Sequence, residues 1–192
     1  MKFRLTYRGR LKGGNSSDRV HKHELRQHFH RQLAELWMHP PLDQRTARLW
    51  LSRLRGGPNY GLLDTVNGFQ FASLVTAEMH TLCELDILFL RASKPGHAIG
   101  GGDLDNRVKT LIDALRVPKP TEIPDGWQPS SDQNPLHCLL SEDSLVDAIT
   151  VRTDRLLDDV SHSPRPDQET LLVISVRIHS PQPTVDTSDF VM

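Results

Sequence analysis

Long apolar runs are missing from this chain: no stretch approaches the roughly 18 consecutive apolar residues of a membrane span, so no membrane partner is expected. The first ten residues alternate apolar and basic side chains and lack both an apolar h-region and a small-residue cleavage site. They do not read as a secretory signal, and a cytoplasmic protein is expected. Cysteine is scarce. The two present, Cys83 and Cys138, form no CxxC pair, which fits a reducing compartment and argues against thiol chemistry. Neither GxGxxG nor GxxxxGK[ST] occurs, so Gly100-Gly101-Gly102 is expected to be a hinge allowing close backbone approach and no phosphate-binding loop. No internal repeat is visible.

What is there is uneven charge. Residues 1 to 60 carry 13 Lys and Arg against 4 Asp and Glu, whereas residues 61 to 192 carry 10 against 20. Unless the fold interleaves the halves, this predicts a surface for a polyanion beside a carboxylate-rich site able to hold a cation. A length of 192 residues suits one domain, expected over 1–180 with an insertion near 117–138 and a disordered tail at 181–192.

Period-2 alternation of Phe3, Leu5 and Tyr7 with Arg4, Thr6 and Arg8 predicts a first strand over Lys2 to Leu11. Ser17 or Asp18 is placed to cap a helix running to about Trp37. Its apolar stripe is Leu25, Phe29, Leu33, Leu36 and Trp37; Lys22, Arg26, His30 and Arg31 fall largely off it, predicting a solvent-facing basic face. A short second helix is expected within Asp43 to Leu54. Gly68 to Ala77 and Leu82 to Arg91 read as strands that would pair as a hairpin, and Leu104 to Arg116 as a helix. Five prolines between Pro118 and Pro135 mark the insertion as irregular. Ser144 to Asp154 and Leu171 to His179 read as strands joined by a polar loop through Ser161 to Asp167. The expected fold is α/β (α+β): a small mixed sheet of about four to five strands with helices packed on it.

The helix at Leu104 carries the chemistry. Leu104, Val108, Leu111, Ile112 and Leu115 make its apolar stripe, and Asp105, Lys109 and Asp113 are successive i+4 neighbours on another face. Asp103 precedes them at the helix start, where free backbone N–H groups and the dipole favour negative charge. From spacing alone, this row is also what a capped, solvated i+4 ladder would show. A later carboxylate pair, Glu142-Asp143, leads into a strand and supplies a partner. Carboxylates grouped in this way suit Mg2+, with Mn2+ as a substitute. Such a hard cation takes oxygen ligands, keeps open positions, and can offset charge on a phosphate and its leaving oxygen.

The ordered string Asp103-Leu104-Asp105-Asn106-x-x-Lys109-x-x-x-Asp113-Ala114-Leu115, followed by Glu142-Asp143-Ser144 before a Val-containing strand, resembles the RusA family of Holliday-junction resolvases. The resemblance is clearest over 103–116 and 141–152. It implies Asp103, Asp105 and Asp143 as Mg2+ ligands, Lys109 as an essential cation, and Glu142 and Asp113 in secondary roles. It further implies a homodimeric endodeoxyribonuclease that nicks branched DNA. A nucleic-acid-binding protein that has kept the fold and lost cleavage is the alternative. The chain departs from the pattern in the 28 residues from Leu115 to Glu142, where family members have a short link.

Lys22, Arg26, Arg31 and Arg107 are the candidate DNA-phosphate contacts. His21, His23, His28 and His30 are expected on a solvated basic helix and not as metal ligands, because the spacing of His21 and His23 does not match one helix face. Trp37 and Trp50 are expected in the core; Trp127 is a further aromatic that could stack on bases.

Overall fold

The structure is a computed structural model describing residues 1–13, 18–56, 61–92, 103–158, 162 and 168–182; for Arg45, Thr46 and Asp103 it describes the backbone alone. In chain order the elements are β1 (Lys2–Arg10), α1 (Arg19–Leu36), α2 (Arg45–Trp50), β2 (Leu63–Val66), β3 (Phe69–Val75), β4 (Leu82–Arg91), α3 (Asp103–Leu115), β5 (Leu136–Leu140), β6 (Val146–Arg155) and β7 (Glu169–His179). Short 3-10 turns occupy Pro120–Glu122, Ser131–Gln133 and Asp143–Leu145.

Strand alternation fixes the main core. In β4, Cys83, Leu85, Ile87 and Phe89 are buried while Glu84 and Asp86 point to the other face, the two-residue period of a half-buried strand. β7 repeats the pattern and β1 follows it in weaker form, while the edge strand β6 has no buried residue; the four strands make a sheet ordered β1-β7-β4-β6. β7 runs antiparallel to both β1 and β4, and β6 runs parallel to β4. The inner face of this sheet, through Leu5, Ile87, Phe89, Leu172 and Ile174, packs in one cluster with Leu25, Phe29 and Leu33 of α1 and with Leu111 and Leu115 of α3. Burial of each such side chain stabilises the fold by about 1.5–3 kcal/mol.

The fold is mixed α+β, but its strands form two sheets. The second is ordered β2-β3-β5, with β3 antiparallel to β2 and parallel to β5. The expected hairpin of β3 with β4 is therefore absent. A strand has two edges, and those of β3 are taken by β2 and β5 while those of β4 are taken by β7 and β6. The intervening turn is held by Thr81, whose Oγ1 accepts from the Thr76 N–H at 2.9 Å. β2 and β5 were not foreseen as strands: β2 has four residues and β5 has five, flanked by the proline-rich segment. That segment is built of turns and closes a small core of its own, Phe71, Val117, Ile123, Leu136 and Cys138, with Trp127 packed against it.

Asp18 caps α1 as expected, its side chain accepting from the His21 N–H. The expected basic face of α1 does not exist as a surface. Lys22 is 5 % exposed and Arg26 is 1 % exposed, because α1 is covered on a second side by α3 and on a third by β5 and the proline-rich segment. His21, His23 and His30 are buried as well, so the helix is not a solvated one. His23 meets the Trp127 ring edge-on at 4.4 Å, and His30 stacks on His137 at 5.5 Å. Arg31 is exposed; Trp37 and Trp50 are in the core. Gly100-Gly101-Gly102, the loop Ser161 to Asp167 apart from His162, and residues 183–192 lie outside the described residues.

Candidate metal and phosphate site

The charged row of α3 is set by how that helix is gripped. Leu111, Ala114 and Leu115 are fully inside, whereas Leu104, Val108 and Ile112 are only partly buried. Those three face β6, and between them and Val146, Ile149 and Val151 runs a groove of about 570 Å3. Its apolar floor includes Ile149, which is 44 % exposed.

Polar groups gather along this groove. Asp105 and Lys109 come from α3, and Asp143 with Ser144 from the 3-10 turn ahead of β6. The turn is anchored on both sides: Leu145 is buried, and the Ser141 N–H donates to the Val75 carbonyl at 3.0 Å. Thus two segments separated by the whole proline-rich stretch line one groove. Asp105, Lys109 and Asp143 are all solvent-exposed, and no hydrogen bond or ion pair engages their side chains among the described residues. Asp103 is the first residue of α3, two positions before Asp105; its side chain is outside the described set.

Asp113 also lines the groove, but its oxygens are committed. Oδ2 accepts from Lys22 Nζ at 2.6 Å and Oδ1 from Arg116 Nη2 at 3.1 Å. Burial alone would raise its pKa; the hydrogen bond and charge of Lys22, with Arg116 behind them, more than offset that and hold the carboxyl below the usual range. Arg26 completes the lock by donating to the backbone carbonyls of Asp113 at 2.7 Å and Arg116 at 3.1 Å, satisfying acceptors that the end of α3 leaves open. Lys22 and Arg26 are therefore not phosphate contacts: both are spent inside the protein on α3. Glu142 is exposed, 4.0 Å from Arg55 Nη1, and its Oε2 accepts from Ser144 Oγ at 3.5 Å; it is not among the groove-lining side chains.

A second group of metal-capable side chains lies on the opposite face of the first sheet and has no signal in the sequence, since its members come from three strands. Glu84, Asp147 and His179 offer atoms within 4.8 Å of one another. His179 Nε2 is 3.0 Å from Asp147 Oδ2, and Arg177 Nη1 donates to both oxygens of Glu84 at 3.1 Å. Arg177 thus pairs with Glu84 and His179 with Asp147, so both carboxylates already have partners in a surface polar network.

Compared with models of known protein families, with curated proteins and with solved structures, the chain matches none. No helix among the described residues is long and apolar enough to cross a membrane.

Proposed function

We propose that this protein is a divalent-metal-dependent endonuclease acting on branched DNA, with the groove between α3 and β6 as its active site. The observation that carries this reading is that Asp105, Lys109 and Asp143 line one groove although Asp143 follows Lys109 by a long proline-rich excursion. The likeness of the acidic string to the RusA family adds to it. The donor set fits a hard cation: carboxylate oxygens, solvent-exposed, with no competing partner among the described residues. Asp105 and Asp143 would hold Mg2+, or Mn2+ in its place, together with Asp103 at the start of the same helix. When bound, the cation supplies positive charge against the phosphate and acidifies a water ligand.

The protein's own groups do the rest. Lys109 stands one helical turn from Asp105 and offers an ammonium to a non-bridging phosphate oxygen, where charge grows as the phosphorus is attacked. Asp113 does not share this role, since its pairing with Lys22 and Arg116 makes it the fixed point of the helix. A homodimer belongs to this reading, because two such grooves across a two-fold axis match the symmetry of a four-way junction.

The test is a nicking assay on a synthetic four-way junction with Mg2+. The wild-type chain should introduce nicks, and Asp105→Asn should abolish cleavage while retaining binding. Binding by the wild type with no cleavage of branched, duplex or single-stranded DNA would leave the DNA-binding protein without catalysis as the function.

A further inference from the structure

With Lys22 and Arg26 enclosed, Arg31 is the one of α1's three candidate phosphate contacts left on the surface. Outward-facing cations meet elsewhere. Arg10 at the end of β1, Lys12 just beyond it and Arg107 of α3 line a polar pocket of about 340 Å3 together with Gly13, Asp18 and Gln168. We infer that this pocket binds a backbone phosphate of the DNA strand that runs into the α3–β6 groove, an inference that rests on the nuclease reading.

Three features support it. Among the described residues the lining places Arg10, Lys12 and Arg107 beside one carboxylate, Asp18, which caps α1 through the His21 N–H and pairs with Lys12 Nζ at 3.1 Å. A surplus of positive charge in a concave wall is what attracts a polyanion. The wall is also preformed. Arg10 is held in register opposite Glu169 by the pairing of β1 with β7, and the Lys12 N–H donates to His21 Nε2 at 3.2 Å, so the backbone carrying both cations is fixed before binding. Its position relative to the groove suits a continuous strand. Arg107 follows Asp105 by two residues, about 200° around the helix at roughly 100° per residue, so the two side chains leave opposite sides of α3. The width of a helix with its side chains, roughly 10–12 Å, separates them. That is on the order of three nucleotide steps at a rise of about 3.4 Å each. A strand crossing the N-terminal end of α3 would thus place one phosphate at Asp105 and another, a few nucleotides away, at Arg10 and Lys12.

Phosphate contacts are read from salt dependence. Binding of a fluorescent synthetic four-way junction, in EDTA to prevent cleavage, is measured over a series of salt concentrations for wild type, Arg10→Gln, Lys12→Gln and Arg48→Gln. Arg48 is exposed on α2 and serves as the control. Arg10→Gln and Lys12→Gln should each weaken binding about threefold to tenfold at low salt, whatever the base sequence, and flatten the slope of log K against log salt by about 0.9. Arg48→Gln should change neither, and melting temperatures should stay together, because none of the three side chains is buried. Wild-type binding and cleavage accompanied by unchanged slopes in both pocket variants would overturn the subsite and leave the nuclease reading standing. Failure of the wild type to bind or nick any DNA would overturn that reading, and the subsite with it.

Discussion

Lys22 Nζ lies 2.6 Å from Asp113 Oδ2, with both side chains inside the protein. This contact ties the middle of α1's first half to the last turns of α3, the helix that carries Asp105 and Lys109. Arg26, four residues on, holds the backbone of the same turn, so the orientation of the candidate site is set by α1 from behind.

Breaking a buried pair leaves an uncompensated charge, at a typical cost of 3–5 kcal/mol. Asp113 keeps Arg116 when Lys22 is lost, so Lys22→Met should cost about 3 kcal/mol, the lower end of that range. Urea unfolding measures it. In the folded fraction, the salt dependence of DNA binding should match the wild type; a flatter slope would mean that Lys22 reaches phosphate after all.

How much of this was legible in the sequence depends on which period was being read. β1, β4 and β7 are half-buried strands whose alternation is their own, and α3 carries an unambiguous stripe. Asp18 is legible as a cap because capping is local. α1 misled because it is packed on several sides: Leu25, Phe29 and Leu33 give the stripe, while Lys22, Arg26, His23 and His30 are buried on other faces by partners 80 or more residues away, which no periodicity announces. The groove was half legible. The order of Asp105, Lys109 and Asp143 is in the chain, but their convergence depends on β5 and β6 lying in different sheets, with the turn before β6 pinned to β3. Leu104, Val108 and Ile112 were readable as apolar, though not as a groove floor.

Lys109→Ala and Asp143→Asn should separate chemistry from folding. Both residues are exposed and unengaged among the described residues, so each change should move stability by no more than about 0.5 kcal/mol. If these groups act on the phosphate, each should slow single-turnover junction cleavage by about a hundredfold or more. Cleavage at wild-type rate in either variant would remove that residue from the site.

Stability should fall in acid through buried histidines. Burial pushes His23 and His137 down to about 4, with Arg26 and His30 respectively adding repulsion, and burial also lowers His30. The tautomer of His30 is fixed: its Nδ1 accepts from the His137 N–H at 2.9 Å, so Nε2 carries the proton donated to the Asp132 carbonyl. Because the folded-state pKa values lie below the unfolded value near 6.5, the unfolded chain takes up protons first. Stability is then complete above about pH 6.5 and is lost as pH falls toward about 4, by on the order of a few kcal/mol in total. Asp113 adds a second loss at still lower pH, where its depressed carboxyl finally protonates. His137→Phe keeps a flat ring against His30 and should shallow the slope of melting temperature against pH between 6.5 and 4. A slope equal to the wild type's would exclude His137 from the linkage.

Trp127 offers a test of what the proline-rich segment is for. Its ring lies 4.4 Å from His23 and 5.0 Å from Phe69, edge-on to both, and 6.4 Å from Phe71, where it closes the small core beside β3. The ring is half-buried, with His23, Phe69 and Phe71 against it, so a DNA base could reach only the part that these contacts leave open. Trp127→Ala should therefore cost about 3 kcal/mol or more, as large-to-small aromatic changes in cores do, while Trp127→Phe should recover most of it because ring contacts dominate. Indole Nε1 is buried with no hydrogen-bond partner, so the phenyl replacement gives up no bond. If the segment serves as a wedge holding α1 against the second sheet, junction affinity measured well below the melting temperature should be equal in wild type and Trp127→Phe. A drop in affinity with stability intact would instead make Trp127 a nucleic-acid contact.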